Sequence, residues 1–311
     1  MHPEYLGMNA PIRLFAKAAA LLALNAVAGV ALLLGLGWGD RLQPWETDSI
    51  FQGNRLDEEY DLLIMGTSRA YLLSRYEANQ RALEATLNAN VLNLALPAAG
   101  GVKPGYAYLD YCLSQGIQPK TLLLCLDPFV FFNEACNENH KFVYFESFRP
   151  GFFATLIRED FPWRRLFIYA RHKFSLEWIL RSPAPLPRFD GATDAAPTPD
   201  RIALRMDSLY LEGLQQATFD RYAPYLDRIL DRCKREGIAV HIVTLPTQIG
   251  PEPGQAALDA YLGQLQGRYT FTYQNWCDAM PGPQLYYDLD HANATGVQRL
   301  LDTLLRPLLS S

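Results

Sequence analysis

Asp61-Leu62-Leu63-Ile64-Met65-Gly66-Thr67-Ser68-Arg69 decides the reading of the fold. A short apolar run that stops at a glycine is consistent with a buried strand. The polar Thr67-Ser68-Arg69 leads into a stretch with helical spacing, Arg69 to Asn88, in which Leu72, Tyr76, Leu83 and Leu87 fall roughly on one face. The same rhythm returns downstream. Val91-Leu92-Asn93-Leu94 is a second short strand, and Pro104 opens a helix that runs to about Gln115. Thr121 to Leu126 is a third strand, Ile238 to Thr244 a fourth, Tyr269 to Tyr273 a fifth, and a last helix runs from about Ala294 to Leu308. Buried apolar strands separated by helices predict an α/β domain built on a parallel sheet covered on both faces.

The chain has 311 residues, enough for one large domain or two small ones at about 100–200 residues each. With 49% hydrophobic residues, 20% charged residues and a net charge of -5, it is neither a disordered chain nor a nucleic-acid binder working through overall positive charge. A mean hydropathy of -0.08 excludes a polytopic membrane protein. That average hides one segment. Ala18 to Trp38 has no charged residue, and as a helix it spans about 30 Å, the thickness of a bilayer core. Arg13 and Lys17 precede it, while Asp40, Glu46 and Asp48 outnumber Arg41 beyond it, which puts the N-terminus inside and the rest outside the cytoplasm. The alternatives are a cleaved signal peptide, for which Leu36-Gly37-Trp38-Gly39-Asp40 is a poor cleavage site, and a buried soluble helix. The expected organisation is a cytoplasmic tip and transmembrane anchor over 1–40, a juxtamembrane connector over 41–60 and one domain over 61–311.

Within that domain, about 128–201 breaks the rhythm. It is aromatic from Phe129 to Trp178 and Pro- and Ala-rich from Ser182 to Pro199. It reads either as an insertion capping a groove or as an extension of the core with one surface loop. In the first reading Phe129, Phe131, Phe132, Phe142, Tyr144, Phe145 and Phe148 could stack on a sugar; in the second they are core. The five cysteines contain no Cys-x-x-Cys pair, and one disulfide is allowed but not specified.

Three segments can carry chemistry. Ser68 follows the first strand and opens a helix, where free amides and the helix dipole favour a developing oxyanion. Thr67 or Ser68 could equally be a plain N-cap. Asp288 and His291, three apart before the last helix, can hydrogen-bond so that the carboxylate fixes the imidazole tautomer and the other nitrogen serves a serine. The competing readings are solvated acids at Asp288 and Asp290, or a metal site of Asp288, Asp290 and His291, which lacks further ligands to complete it. Asn293 suits an N-cap, and its sequon with Thr295 has meaning only in a glycosylating compartment. Gly100 and Gly101, after the second strand, permit close backbone approach to a ligand, but without dinucleotide or phosphate-loop spacing.

In order along the chain, an early serine after the first strand and a late Asp-x-x-His resemble the SGNH (GDSL-like) hydrolase superfamily over roughly 60–126 and 238–308. The resemblance implies a flavodoxin-like αβα three-layer fold and a catalytic set of Ser68, His291 and Asp288. Gly66-Thr67-Ser68-Arg69, and Asp288 to Asn293 with Gly296 following, are more similar to the membrane-anchored branch that handles polysaccharide O-acetylation or D-alanine transfer. It implies a periplasmic or extracellular domain on a bacterial inner membrane. The acyl group, acetyl by expectation, would pass to a polysaccharide or glycan acceptor or to water, and a multi-pass membrane acyltransferase is an implied partner. Neither a cofactor nor a metal is expected.

The superfamily's third block, Gly-x-Asn-Asp, is missing: the third strand ends Cys125-Leu126-Asp127-Pro128. The oxyanion site then rests on the Ser68 amide and a glycine amide at Gly100 or Gly101. The same loss keeps open a non-catalytic scaffold that partners a membrane acyltransferase or an export machine. The deciding quantity is the separation of Ser68 Oγ from the His291 ring, about 3 Å for a working pair.

Overall fold

The computed structural model describes residues 10–39, 59–74, 76–96, 100–138, 146, 148–172, 191 and 197–309. In chain order the elements are α1 (Ala10–Gly39), β1 (Leu62–Met65), α2 (Ser68–Tyr71), α3 (Glu77–Leu87), β2 (Val91–Asn93), α4 (Val102–Ser114) and β3 (Thr121–Cys125). There follow α5 (Glu134–Glu138), α6 (Pro150–Arg158), α7 (Trp163–His172), α8 (Pro199–Leu209), α9 (Gln216–Glu236), β4 (Ala239–Thr244), α10 (Gln255–Gln266), β5 (Thr272–Asn275) and α11 (Ala294–Leu300), which continues through a π turn to Leu309.

The five strands form one parallel sheet in the order β2-β1-β3-β4-β5, the order of doubly wound flavodoxin-like sheets. β1 lies between β2 and β3, with Leu62 opposite Val91 on one side and Thr121 on the other. Alternation along each strand sorts the side chains into two cores. Leu63, Met65, Leu122, Leu124 and Ile242 pack beneath α4, α9 and α10, with Ala107, Ile229 and Leu262. Leu62, Ile64, Leu123, Cys125 and Val243 pack on the other face with Leu83 of α3 and with Val297, Leu301 and Leu305 at the C-terminus. Helices cover both faces, so the domain has three layers.

Departures from the expected elements have local causes. The single helix expected over Arg69 to Asn88 is split into α2 and α3, and the Asn79 amide donates to the Leu72 carbonyl across the break. Asn88 ends α3 in the left-handed region at φ 50°. The fifth strand begins at Thr272 rather than Tyr269, because the Arg268 and Tyr269 amides are spent on the Leu265 carbonyl at the end of α10. The sequence reading names no element between Pro199 and Glu236, where the structure has α8 and α9. The buried stripe of α9, Phe219, Tyr222, Ala223, Leu226, Ile229, Leu230 and Cys233, has helical period throughout.

Phe129, Phe131 and Phe132 are core residues, with Phe131 and Phe132 each about 5 Å from Phe219 between ring centres. Phe148 is partly buried against the same core, which favours the core-extension reading for the aromatics described. Phe142, Tyr144, Phe145, Trp178 and most of the Pro- and Ala-rich stretch lie outside the described residues. All five cysteines are free and buried.

No helix among the described residues is long and apolar enough to cross a membrane. The side chains of α1 are described only over 14–29 and 31, less than the Ala18–Trp38 run. Within them Leu14, Phe15, Leu21, Leu22, Leu24 and Val27 are all exposed. Residues 1–9 of the expected cytoplasmic tip over 1–12, and all but the end of the 41–60 connector, lie outside the described residues.

The turn after β1 needs a residue without a side chain. A Cβ on Gly66 would come within 2.7 Å of both the Cys125 carbonyl on β3 and Ala70 Cβ in α2. Gly66→Ala is therefore expected to cost about 1–3 kcal/mol, read as a lower urea midpoint with unchanged slope.

Candidate active site

In a 2-1-3-4-5 sheet the chain reverses its direction of travel between β1 and β3, and ligands bind outside the carboxyl ends of the strands at that point. The segments there are Thr67-Ser68-Arg69 after β1 and Asp127 after β3. Thr67, not Ser68, caps α2: its hydroxyl oxygen accepts from the Arg69 amide at 3.3 Å and donates to Asp127 Oδ2 at 2.5 Å. That leaves the Ser68 hydroxyl free to point elsewhere.

It meets the C-terminal loop. Ser68 Oγ lies 2.8 Å from His291 Nε2 across 223 positions of chain. His291 Nδ1 lies 2.9 Å from Asp288 Oδ2 and 3.0 Å from Oδ1. A carboxylate only accepts, so Nδ1 carries the ring proton and Nε2 is left as the acceptor for the serine O–H. The loop is built to hold this pair. Asp288 Oδ1 accepts from the Asp290 and His291 amides at 3.0 and 2.8 Å. The Tyr287 amide donates to the His291 carbonyl, and the Gln248 side chain donates to the Asp288 carbonyl. Asn293 caps α11 by accepting from the Gly296 amide at 2.9 Å; it is buried, which takes it out of reach of sequon chemistry.

The expected glycine amides divide. The Gly101 amide donates to the Cys136 carbonyl at 3.0 Å, so this candidate oxyanion donor is already spent, because the loop is fastened to α5. Gly100 stays beside it, and both line a small cavity with Gly66, Thr67 and Asp127. Asn93 is structural: its amide nitrogen donates to the Ala70 carbonyl and Ser74 hydroxyl, and its oxygen accepts from the Ala95 amide.

Under the triad lies a cluster that the sequence reading did not assemble. The Arg69 guanidinium, 3% exposed, donates through Nη1 to Asp127 at 2.7 Å and to Glu252 at 2.6 Å, and through Nη2 to Asp290 at 3.1 Å. Asp290 also accepts from Arg205 Nη2 of α8 at 2.7 Å, and the Tyr210 phenol donates to Glu252 at 2.9 Å. Burial works against the Arg69 charge, but the three carboxylates hold it firmly protonated. Burial likewise works to raise the Asp290 carboxyl, yet Arg69, His291 and Arg205 hold it well below the ordinary carboxylate range. Burial raises the Glu252 carboxyl above its ordinary value, with Asp127 adding to the rise and Arg69 opposing it. Asp290 is thus neither a solvated acid nor a free metal ligand. The ligand atoms of Asp288, Asp290 and His291 do lie within 4.8 Å of one another, but Asp290 is already bound by two guanidinium cations.

Asp127, Glu252, Arg205 and Tyr210 were not foreseen as parts of the site. The available signal was Arg69 itself, a cation directly after a buried strand, with an acid at the end of the neighbouring strand. Comparison of the chain with protein-family models and with curated proteins finds no match.

Removing the cation leaves three buried acids facing one another, so Arg69→Met is expected to cost about 3–5 kcal/mol in chemical denaturation at neutral pH. The pH dependence carries a sign. Asp290 has a lower proton affinity folded than unfolded, so its contribution is complete above the ordinary carboxylate range and disappears as pH falls through the folded value. Unfolding followed from pH 6 to pH 2 is expected to show a shallower loss of stability below about pH 4 in Asp290→Asn than in the parent.

Proposed function

We propose that the chain is a serine-dependent acyl-handling enzyme of the SGNH type, held at a membrane by α1, that moves an O-acyl group on a polysaccharide outside the cytoplasm. The observation that carries this reading is the continuous path from Ser68 Oγ through the His291 ring to Asp288, at 2.8 and 2.9 Å. Its place at the reversal point of the sheet supports it. The outward apolar side chains of α1 support the anchor, and Arg13 and Lys17 before the Ala18–Trp38 run support an external domain. The sugar acceptor and acetyl as the group follow from the resemblance of Gly66-Thr67-Ser68 and Asp288 to Gly296 to the anchored O-acetylation branch.

The chemistry follows from the geometry. As Ser68 Oγ attacks the carbonyl carbon of an acyl ester, its proton passes to His291 Nε2. Asp288 keeps the Nδ1 proton in place and balances the imidazolium. The tetrahedral oxyanion falls to the Ser68 amide at the start of α2, with Gly100 as the remaining glycine donor. When the ester C–O bond breaks, Nε2 returns the proton to the leaving alkoxide. A sugar hydroxyl or water then attacks the acyl carbon, giving its proton to Nε2, and as the acyl–Ser68 Oγ bond breaks Nε2 returns that proton to Ser68 Oγ. Acetyl bound for a sugar fits a site of few oxyanion donors, in which a partner acyltransferase would supply the activated group.

The scaffold reading keeps two observations in its favour: no asparagine directly follows the third strand, where Asp127 is instead bound by Arg69, and the Gly101 amide is spent. A fluorophosphonate probe separates the two. The full-length chain is expected to label at Ser68 and to turn over a p-nitrophenyl ester, with both lost in Ser68→Ala while the thermal melt is unchanged. A chain that neither labels nor turns over ester leaves the scaffold. Asp288→Asn is expected to lower turnover by about 10²–10⁴-fold, because the imidazole then loses its fixed tautomer. His291→Ala combined with Ser68→Ala is expected to cost no more than either alone, since the two act as one unit.

A further inference from the structure

His291 Nδ1 faces two carboxylates, with Asp288 at 2.9 Å and Asp290 Oδ1 at 3.5 Å. The two differ in what else they touch. Asp288 is held by backbone amides, which leave its charge whole. Asp290 is clasped from both sides: Arg69 reaches Oδ2 through Nε and Nη2 at 3.3 and 3.1 Å, and Arg205 reaches it through Nε and Nη2 at 3.2 and 2.7 Å, with a further 3.1 Å contact to Oδ1. Arg69 is itself adjacent in sequence to Ser68 and fixed to Asp127 and Glu252. Arg205 comes from α8, which the sequence reading left without a role.

We propose that Arg69 and Arg205 are positioning residues that hold Asp290 and cancel its charge at the imidazole, so that of the two carboxylates it is Asp288 that orients and stabilises His291. The proposal rests on the catalytic reading for its consequence in turnover, but its electrostatic core stands independently of it. Among the described residues the charged and polar groups facing the imidazole include Ser68 from α2, Asp288 and Asp290 from its own loop, and, behind Asp290, Arg205 from α8 and Arg69 from α2. Asp127 and Glu252 stand behind Arg69 from the ends of β3 and β4. Removing Arg205 exposes His291 to an uncancelled anion, which favours the imidazolium; removing the Asp290 charge does the reverse. Arg205 is a third exposed, so its replacement tests the electrostatics without emptying the core.

The test follows the His291 ring by NMR in histidine-labelled full-length chain in detergent micelles, with the resonance assigned by loss in His291→Gln. In Arg205→Gln the His291 titration midpoint is expected to move up, and in Asp290→Asn to move down. Arg205→Lys, which keeps the charge, is expected to stay near the parent. In ester turnover the acid limb of kcat/KM moves with the ring, and Arg205→Gln lowers kcat with KM unchanged. Midpoints unmoved in both Arg205→Gln and Asp290→Asn, in chains with intact melts, overturn the proposal. Midpoints that move in a chain lacking turnover and Ser68 labelling uphold the clamp and remove the catalytic reading instead.

Discussion

Arg69 carries a positive charge where water does not reach it. A guanidinium in that position is tolerable only if carboxylates surround it and its donors are satisfied. The carboxylates that do so come from three different places: Asp127 at the end of β3, Glu252 beyond β4 and Asp290 in the loop before α11. One side chain therefore draws three separate loops to the point where β1 ends. Because Arg69 directly follows Ser68, the requirement that closes the cluster also fixes where the Ser68 hydroxyl stands relative to the histidine. The Ser68–His291–Asp288 geometry is a by-product of neutralising a buried cation.

The arrangement explains two features that look odd by themselves. Thr67 both caps α2 and donates to Asp127, which frees Ser68 from the capping role that its place in sequence invites. Asp127, at the end of β3, has both of its oxygens committed, one to Thr67 and one to Arg69. Both commitments hold the start of α2 against the end of β3.

Most of the fold was legible along the chain. The buried strands after Asp61, Asn90, Lys120 and Ile238 declared themselves because a strand buried on both faces is a continuous apolar run, bounded by residues that cannot be buried. The edge strand β5 was misplaced because it has no such signature: three of its four residues, Thr272, Gln274 and Asn275, are exposed. α8 and α9 went unread, although α9 has clear helical period, because attention to apolar runs passes over an amphipathic helix rich in charge. In the site, Ser68, Asp288 and His291 were readable from their positions before helices, whereas the place of Asp290 was left open, because the guanidinium groups that bury it come from distant segments.

What the sequence determined alone is therefore local and periodic: the alternation of strands and helices, the hydrophobic stretch from Ala18 to Trp38, and the residue types at each strand end. Such features depend on neighbours within a few positions, and a chain carries that information openly. Tertiary structure decided the rest. It decided that Ser68 meets His291 across 223 positions, that Gly101 gives its amide to Cys136, and that a guanidinium from α8 reaches Asp290. Which acid satisfies a buried cation depends on which segments the packed sheet brings within about 3 Å of it. No spacing along the chain encodes that choice.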